Sequence, residues 1–257
     1  MKLTVTTPIN GKNLGDDIYG DFMFGIGVSK RSDDFVIRLA TPAGLSRAAR
    51  ETDSGTIIAS WPLVVIDRWS PTEFEKWLYA TIESCKGATW DECVENLKRY
   101  FRWEFDGYRT FDRYSDRYSK YQDENLINLV IRSAHFESEP GNGDAVDNLR
   151  TWVPENPRVF DRCLVVSISP KGTTTTQNFS IRVATPAGLE NAEAENGIIS
   201  SRGLVVMEQW SYEALWEWLN KIVSSCEDHS WNQCIQKLRK YFDWENDSSH
   251  WQEKGAN

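Results

Sequence analysis

This sequence is poorest in long apolar runs, in histidine and in closely spaced cysteine. Its longest apolar runs are a few residues, such as Leu63 to Ile66 and Cys163 to Val166. A bilayer-spanning helix needs roughly 20. The opening residues, MKLTVTTPINGK, lack the apolar core of a signal peptide, so a cytoplasmic protein without membrane partners is expected. The five cysteines are an odd number and contain no CxxC pair, which argues against a disulfide framework and a zinc site. The three histidines, His135, His229 and His250, stand alone, outside HExxH or HxxxH spacing. No GxSxG elbow and no P-loop occur. The lone GxG, Gly25 to Gly27, lies inside an alternating strand pattern with no helix behind it, so it marks a bulge or close backbone approach. These absences predict a protein with no catalytic residues, no metal and no cofactor.

Basic charge is also short. The formal net charge is −9. Residues 1–108 hold 13 basic and 16 acidic side chains, 109–124 hold 4 and 4, and 125–257 hold 12 and 18. Such a balance disfavours nucleic-acid backbone binding and suits either a solubility surface or attraction to a basic partner.

What the chain does have is a copy of itself. IRLATPAGL (Ile37 to Leu45) returns as IRVATPAGL (Ile181 to Leu189), and KRYFRWE (Lys98 to Glu104) as RKYFDWE (Arg239 to Glu245). Between them the two halves run in step. Phe22, Phe24, Ile26 and Val28 share one strand face, as do Phe35, Ile37 and Leu39. Thr41-Pro42 and Thr185-Pro186 open a short helix, threonine as N-cap and proline at the first helical position. Leu63 to Asp67 and Gly203 to Glu208 read as a fourth strand.

Ser70-Pro71-Thr72-Glu73 is a capping box, followed by an apolar stripe of Phe74, Trp77, Leu78, Thr81, Ile82 and Cys85 at helical spacing. Leu215, Trp218, Leu219, Ile222, Val223 and Cys226 repeat it. A second box at Thr89 to Glu92, matched at Ser230 to Gln233, opens a second helix. Residues near Trp103 and Trp244 add an edge strand. The expected fold class is α+β: two tandem repeats, each a mostly antiparallel four- to five-stranded sheet with a helix pair on one face. The boundaries read as 1–108 for the first module, 109–126 for an aromatic and charged linker (Phe111, Tyr114, Tyr118, Tyr121), 127–248 for the second module and 249–257 for a frayed tail. The second copy carries a polar insertion, Glu137 to Asn156, with EPGNGD at its heart.

Four tryptophans recur in register, Trp69, Trp77, Trp90 and Trp103 as Trp210, Trp218, Trp231 and Trp244, which suits a shared core. Trp61, Trp152, Trp216 and Trp251 have no counterpart and are the better candidates for an interface. The paired cysteines Cys85, Cys93, Cys226 and Cys234 fall on inward helix faces and read as small buried hydrophobes.

The order SPKG (Ser169 to Gly172), ATPAGL (Ala184 to Leu189), RGLVV (Arg202 to Val206), a helix pair with Trp218 and Trp231, then RKYFDWE resembles the immunity protein 8 family of bacterial polymorphic toxin systems. The first copy matches at ATPAGL, at PLVV (Pro62 to Val65) and at YFRWEFDGYR (Tyr100 to Arg109), and departs at its start, where the insertion is missing. The resemblance implies a non-catalytic α+β protein that binds and blocks a cognate toxin. Acidity fits a basic toxin such as a nuclease. The second copy is the more acidic, so its short-helix segment, with Glu190, Glu193 and Glu195, is the first candidate for toxin contact, followed by Trp244, Glu245 and Trp216. A non-catalytic regulatory or scaffold module is the alternative.

Overall fold

The computed structural model describes residues 2–6, 15–28, 31–51, 57–106, 126–138, 145–200 and 202–247. The expected linker aromatics, the EPGNGD heart (139–144), the tail and Trp251 lie outside the described residues, as do Pro8, where the sequence pattern stops a first strand, and Gly55, where it closes the short-helix segment.

Repeat one contains β1 (Thr4–Val5), β2 (Tyr19–Val28), β3 (Arg31–Ala40), α1 (Pro42–Arg50), β4 (Ile57–Ala59), β5 (Leu63–Ile66), α2 (Pro71–Ser84), α3 (Trp90–Leu97) and β6 (Arg102–Trp103). Repeat two contains the same series: β7 (Leu129–Phe136), β8 (Asp161–Pro170), β9 (Gln177–Ala184), α4 (Pro186–Glu190), β10 (Ile198–Ser200), β11 (Leu204–Met207), α5 (Tyr212–Ser225), α6 (Trp231–Leu238) and β12 (Asp243–Trp244).

The duplicated ATPAGL motif is a joint between strand and helix. Thr41 Oγ1 accepts from Gly44 N and Ile18 N and donates to the Asp16 carbonyl at 2.6 Å. Thr185 does the same with Gly188 N, Phe160 N and the Arg158 carbonyl. One buried hydroxyl thus caps the helix and ties down the residues that lead into the first long strand of each repeat, Tyr19–Val28 or Asp161–Pro170. The glycine is required by proximity. A Cβ on Gly44 would meet the Ile18 carbonyl oxygen at 1.8 Å, and one on Gly188 the Phe160 oxygen at 2.1 Å.

The long hairpins β2–β3 and β8–β9 are antiparallel. The short helix carries the chain over to a parallel strand: β5 lies beside β3, and β11 beside β9. The WE segments supply β6 and β12, antiparallel to β3 and β9. Each repeat thus provides five strands of its own, within the expected range.

Each sheet nevertheless has six. β4 leaves repeat one and pairs with β11 of repeat two, Ala59 opposite Val206. β10 leaves repeat two and pairs with β5 of repeat one, Ser200 opposite Val65. The repeats therefore exchange an edge strand reciprocally.

Inner sheet faces and helix stripes form one core per repeat. In repeat one Phe24, Ile26, Phe35, Ile37 and Leu39 meet Phe74, Leu78, Ile82, Cys93 and Leu97, all buried. In repeat two Leu164, Val166, Phe179 and Ile181 meet Leu215, Leu219, Val223, Cys234 and Leu238. A third core lies between the repeats. It gathers Leu45, Ala48, Ala49, Ile58, Leu63 and Val65 from the first half with Leu189, Ile199, Leu204 and Val206 from the second. This explains why β5 reads LVVI without alternation: Val64 and Ile66 face their own helices, while Leu63 and Val65 face the other repeat. Each aliphatic side chain so buried contributes about 1.5–3 kcal/mol.

Candidate functional site

The last residue of α4 and the segment after it hold the three proposed glutamates. Glu190 ends the helix, and Glu193 and Glu195 follow, all exposed. The segment then turns back at Asn196-Gly197. Both residues have positive φ, 50° and 78°, the type I′ geometry that Asn-Gly favours. Glu195 and Ile198 exchange two backbone hydrogen bonds at 2.9 Å across that turn. Beyond it β10 pairs with repeat one, and Asp67 N donates to the Gly197 carbonyl at 3.0 Å. The acidic arm of repeat two is thereby held on the body of repeat one.

A cleft of about 600 Å³ lies along this arm. Glu193, Glu195, Asn196 and Ile198 line one side, and Lys76, Trp77 and Ala80 of α2 line the other. Lys76 is occupied by Glu73 at 2.9 Å. Among the described residues no basic group lies within ion-pair distance of Glu190, Glu193 or Glu195. The cleft therefore presents carboxylates with no basic partner among the described residues, beside a half-buried indole. That combination suits a lysine or arginine side chain, whose head pairs with carboxylate and whose stem or guanidinium lies on the ring.

The other proposed residues sit elsewhere and are engaged in the fold. Trp244 and Glu245 lie at the far end of β9 from α4. Trp244 Nε1 donates to Gln177 Oε1 at 3.1 Å, with the Arg239 guanidinium 5.6 Å from its ring centre. Glu245 accepts from Asn178 N at 2.9 Å and from its Nδ2 at 3.0 Å. Repeat one repeats the arrangement: Trp103 Nε1 donates to Asp33 Oδ2, Lys98 lies over the indole, and Glu104 accepts from Asp34 N. Trp216 stacks on Tyr212 with centroids 5.8 Å apart and packs half-buried against the second core. The arrangement unites Glu193 and Glu195, keeps Glu190 on the same arm, and leaves Trp216, Trp244 and Glu245 apart.

Two sets of residues escape sequence reasoning. Trp77 recurs as Trp218, which signals core; it is half-buried and also lines the cleft. The second set is a polar seam between the repeats. Asp106 holds Lys98 at 3.4 Å and Lys240 at 3.5 Å. Burial pulls the Lys240 ammonium down, with Asp106 opposing. Burial also pulls at Lys98, but its bonds to Glu95 and Asp106 outweigh it and the net shift is upward. Arg202 lies over Tyr100 and pairs with Asp243; burial lowers its pKa and these partners more than restore it. No sequence signal ties these positions together, because their proximity depends on the exchanged strands.

Among the described residues no group of three or more His, Cys, Asp or Glu side chains could hold a metal ion. No described helix is long and apolar enough to cross a membrane.

The fold is a tandem α+β repeat, and the cleft beside its acidic arm is lined by both halves. The family model for Immunity protein 8 matches it twice, over residues 16–108 and 141–248. The chain belongs to this family of immunity proteins of polymorphic toxin systems, whose role is to neutralise a cognate toxin. No curated protein and no solved structure matches it.

Proposed function

We propose that this protein neutralises a basic toxin domain, a nuclease being the best fit, by binding and covering it without catalysis in the cytoplasm of the producing cell. The observation that carries the reading is the acidic arm: carboxylates with no basic partner among the described residues, held along a Trp77-lined cleft, in a chain of net charge −9. A nuclease needs lysines and arginines to hold phosphates, and an acidic inhibitor answers that field. Glu190, Glu193 and Glu195 are the first contacts. Glu245, Trp244 and Trp216 rank behind them, since the first two already serve the sheet and the third packs on α5.

Co-expression with the neighbouring toxin domain is the test. Restored growth, a 1:1 complex and affinity that falls as salt rises support the reading. An acidic toxin, or affinity indifferent to salt, overturns the basic-partner assignment.

A further inference from the structure

We infer that repeat one is the platform for repeat two's arm, and that the two halves form a complex needing no covalent connection. The inference concerns assembly and does not rest on the nature of the toxin.

Neither half completes its own sheet. β5 is flanked by β3 on one side and by β10, from the other repeat, on the next. β11 stands in the same relation to β9 and β4. In the absence of repeat two, β5 would present an open apolar edge, with Val64 and Val65 as buried neighbours. Such edges recruit a strand. The outer faces of β5 and β11 would likewise be bare, because Leu63, Val65, Leu204 and Val206 are covered only in the shared core.

Each exchanged strand is anchored at its root to its own repeat and pairs with the other. Tyr19 of β2 donates its hydroxyl to the Ile58 carbonyl at 2.9 Å, fixing the root of β4. Arg182 Nη1 donates to the Ile199 carbonyl at 2.9 Å, fixing β10 in the equivalent place. At the far side of the interface Trp61 meets Tyr241, and Lys240 meets Asp106. The bonds that cross between the halves are those of the exchanged strands and of Asp67 N to the Gly197 carbonyl, joined by the shared apolar core and the Lys240–Asp106 pair.

Repeat one accordingly does more than duplicate repeat two. The arm bearing Glu193 and Glu195 runs straight into β10, and β10 is seated on repeat one. Holding that arm is a positioning role, performed by β5, Asp67 and α2.

The test is made on the full chain with a protease site placed between residues 110 and 124. After cleavage the two fragments should co-elute at 1:1 at micromolar concentration, with the far-ultraviolet spectrum of the uncut protein unchanged. Fragments that separate, or one that precipitates alone, overturn the inference. A second variant fixes the pairing itself. Val65→Cys with Ser200→Cys places thiols at cross-strand partner positions. On oxidation the cleaved fragments should become inseparable in denaturing gels and separable again on reduction, at the mass of one chain. No cross-link, or one that forms only between two chains, contradicts an exchange within the molecule. Because neither readout involves the toxin, the result is independent of which toxin is bound.

Discussion

Trp61 of the first repeat packs edge-on against Tyr241 of the second, ring centres 5.5 Å apart. Arg202, one residue before the glycine that matches Pro62, lies over Tyr100, the counterpart of Tyr241, at 5.7 Å. The same place in each repeat thus reaches across to the same tyrosine of the other. Only one of the two reaching residues is aromatic, which is why Trp61 has no tryptophan partner in the sequence.

Trp61→Ala removes the ring from between Tyr241 and Lys240. Loss of a buried aromatic costs about 3–5 kcal/mol in a core; Trp61 is half-buried, so roughly 2 kcal/mol is expected. Urea unfolding should show one transition moved to lower denaturant for the whole chain. Two separated transitions would mean that the repeats unfold independently.

The glycines of the repeated motif can be ranked without a functional assay. Gly44→Ala and Gly188→Ala drive a methyl into a backbone carbonyl. Each should cost about 1–3 kcal/mol, the usual range for overpacking. Gly20→Ala in β2 meets nothing within 4 Å and should stay within about 0.5 kcal/mol of the parent. Thermal melting of the three variants checks the order.

Much of this is legible in the sequence, for a reason visible at particular residues. Phe74, Leu78 and Ile82 announce their helix because burial on one face imposes a 3.6-residue period. Phe35, Ile37 and Leu39 announce their strand by a period of two. Ile57–Ala59 and Ile198–Ser200 announce nothing, since three residues are too few to show a period. Their partners also lie some 140 positions away, so no local pattern marks the exchange. The parallel β3–β5 pairing is hidden likewise. At the site, Glu193 and Glu195 stand out through the contrast between the two copies. Trp77 does not, because a tryptophan that recurs looks like core even when its edge is open.

The thiols offer a pH test. Burial pushes Cys85 up to about 11 and Cys226 to about 12, both from an ordinary 9.0, and Tyr241 to about 12 from 10.0. In each case the folded protein keeps its proton where the unfolded chain loses it. The stabilisation is complete below pH 9 and drains away as pH rises through these values. Lys240, lowered by burial, works in the opposite direction near its ordinary 10.5, while Cys234 and Lys98, both raised, add to the loss. Each pKa unit corresponds to about 1.4 kcal/mol, so the midpoint of urea unfolding should fall steeply between about pH 9 and 12. At neutral pH, Cys85, Cys93, Cys226 and Cys234, all buried, should resist alkylation until the protein unfolds, while half-buried Cys163 reacts first.

The arm should govern charge recognition without governing the fold. Glu190, Glu193 and Glu195 are exposed, so replacing all three by glutamine should leave the melting temperature within a few degrees of the parent. Reversing Lys76→Glu on the facing helix should strengthen attraction for a cationic partner two- to fivefold, the order of one exposed charge pair.

The most direct test of the central claim is a calorimetric titration of the cognate toxin domain into the parent protein and into the E190Q/E193Q/E195Q variant at two salt concentrations. Binding in the variant should be weakened about tenfold or more, with a shallower dependence on salt. Equal affinity for parent and variant at both salts, with growth rescue intact, would contradict it.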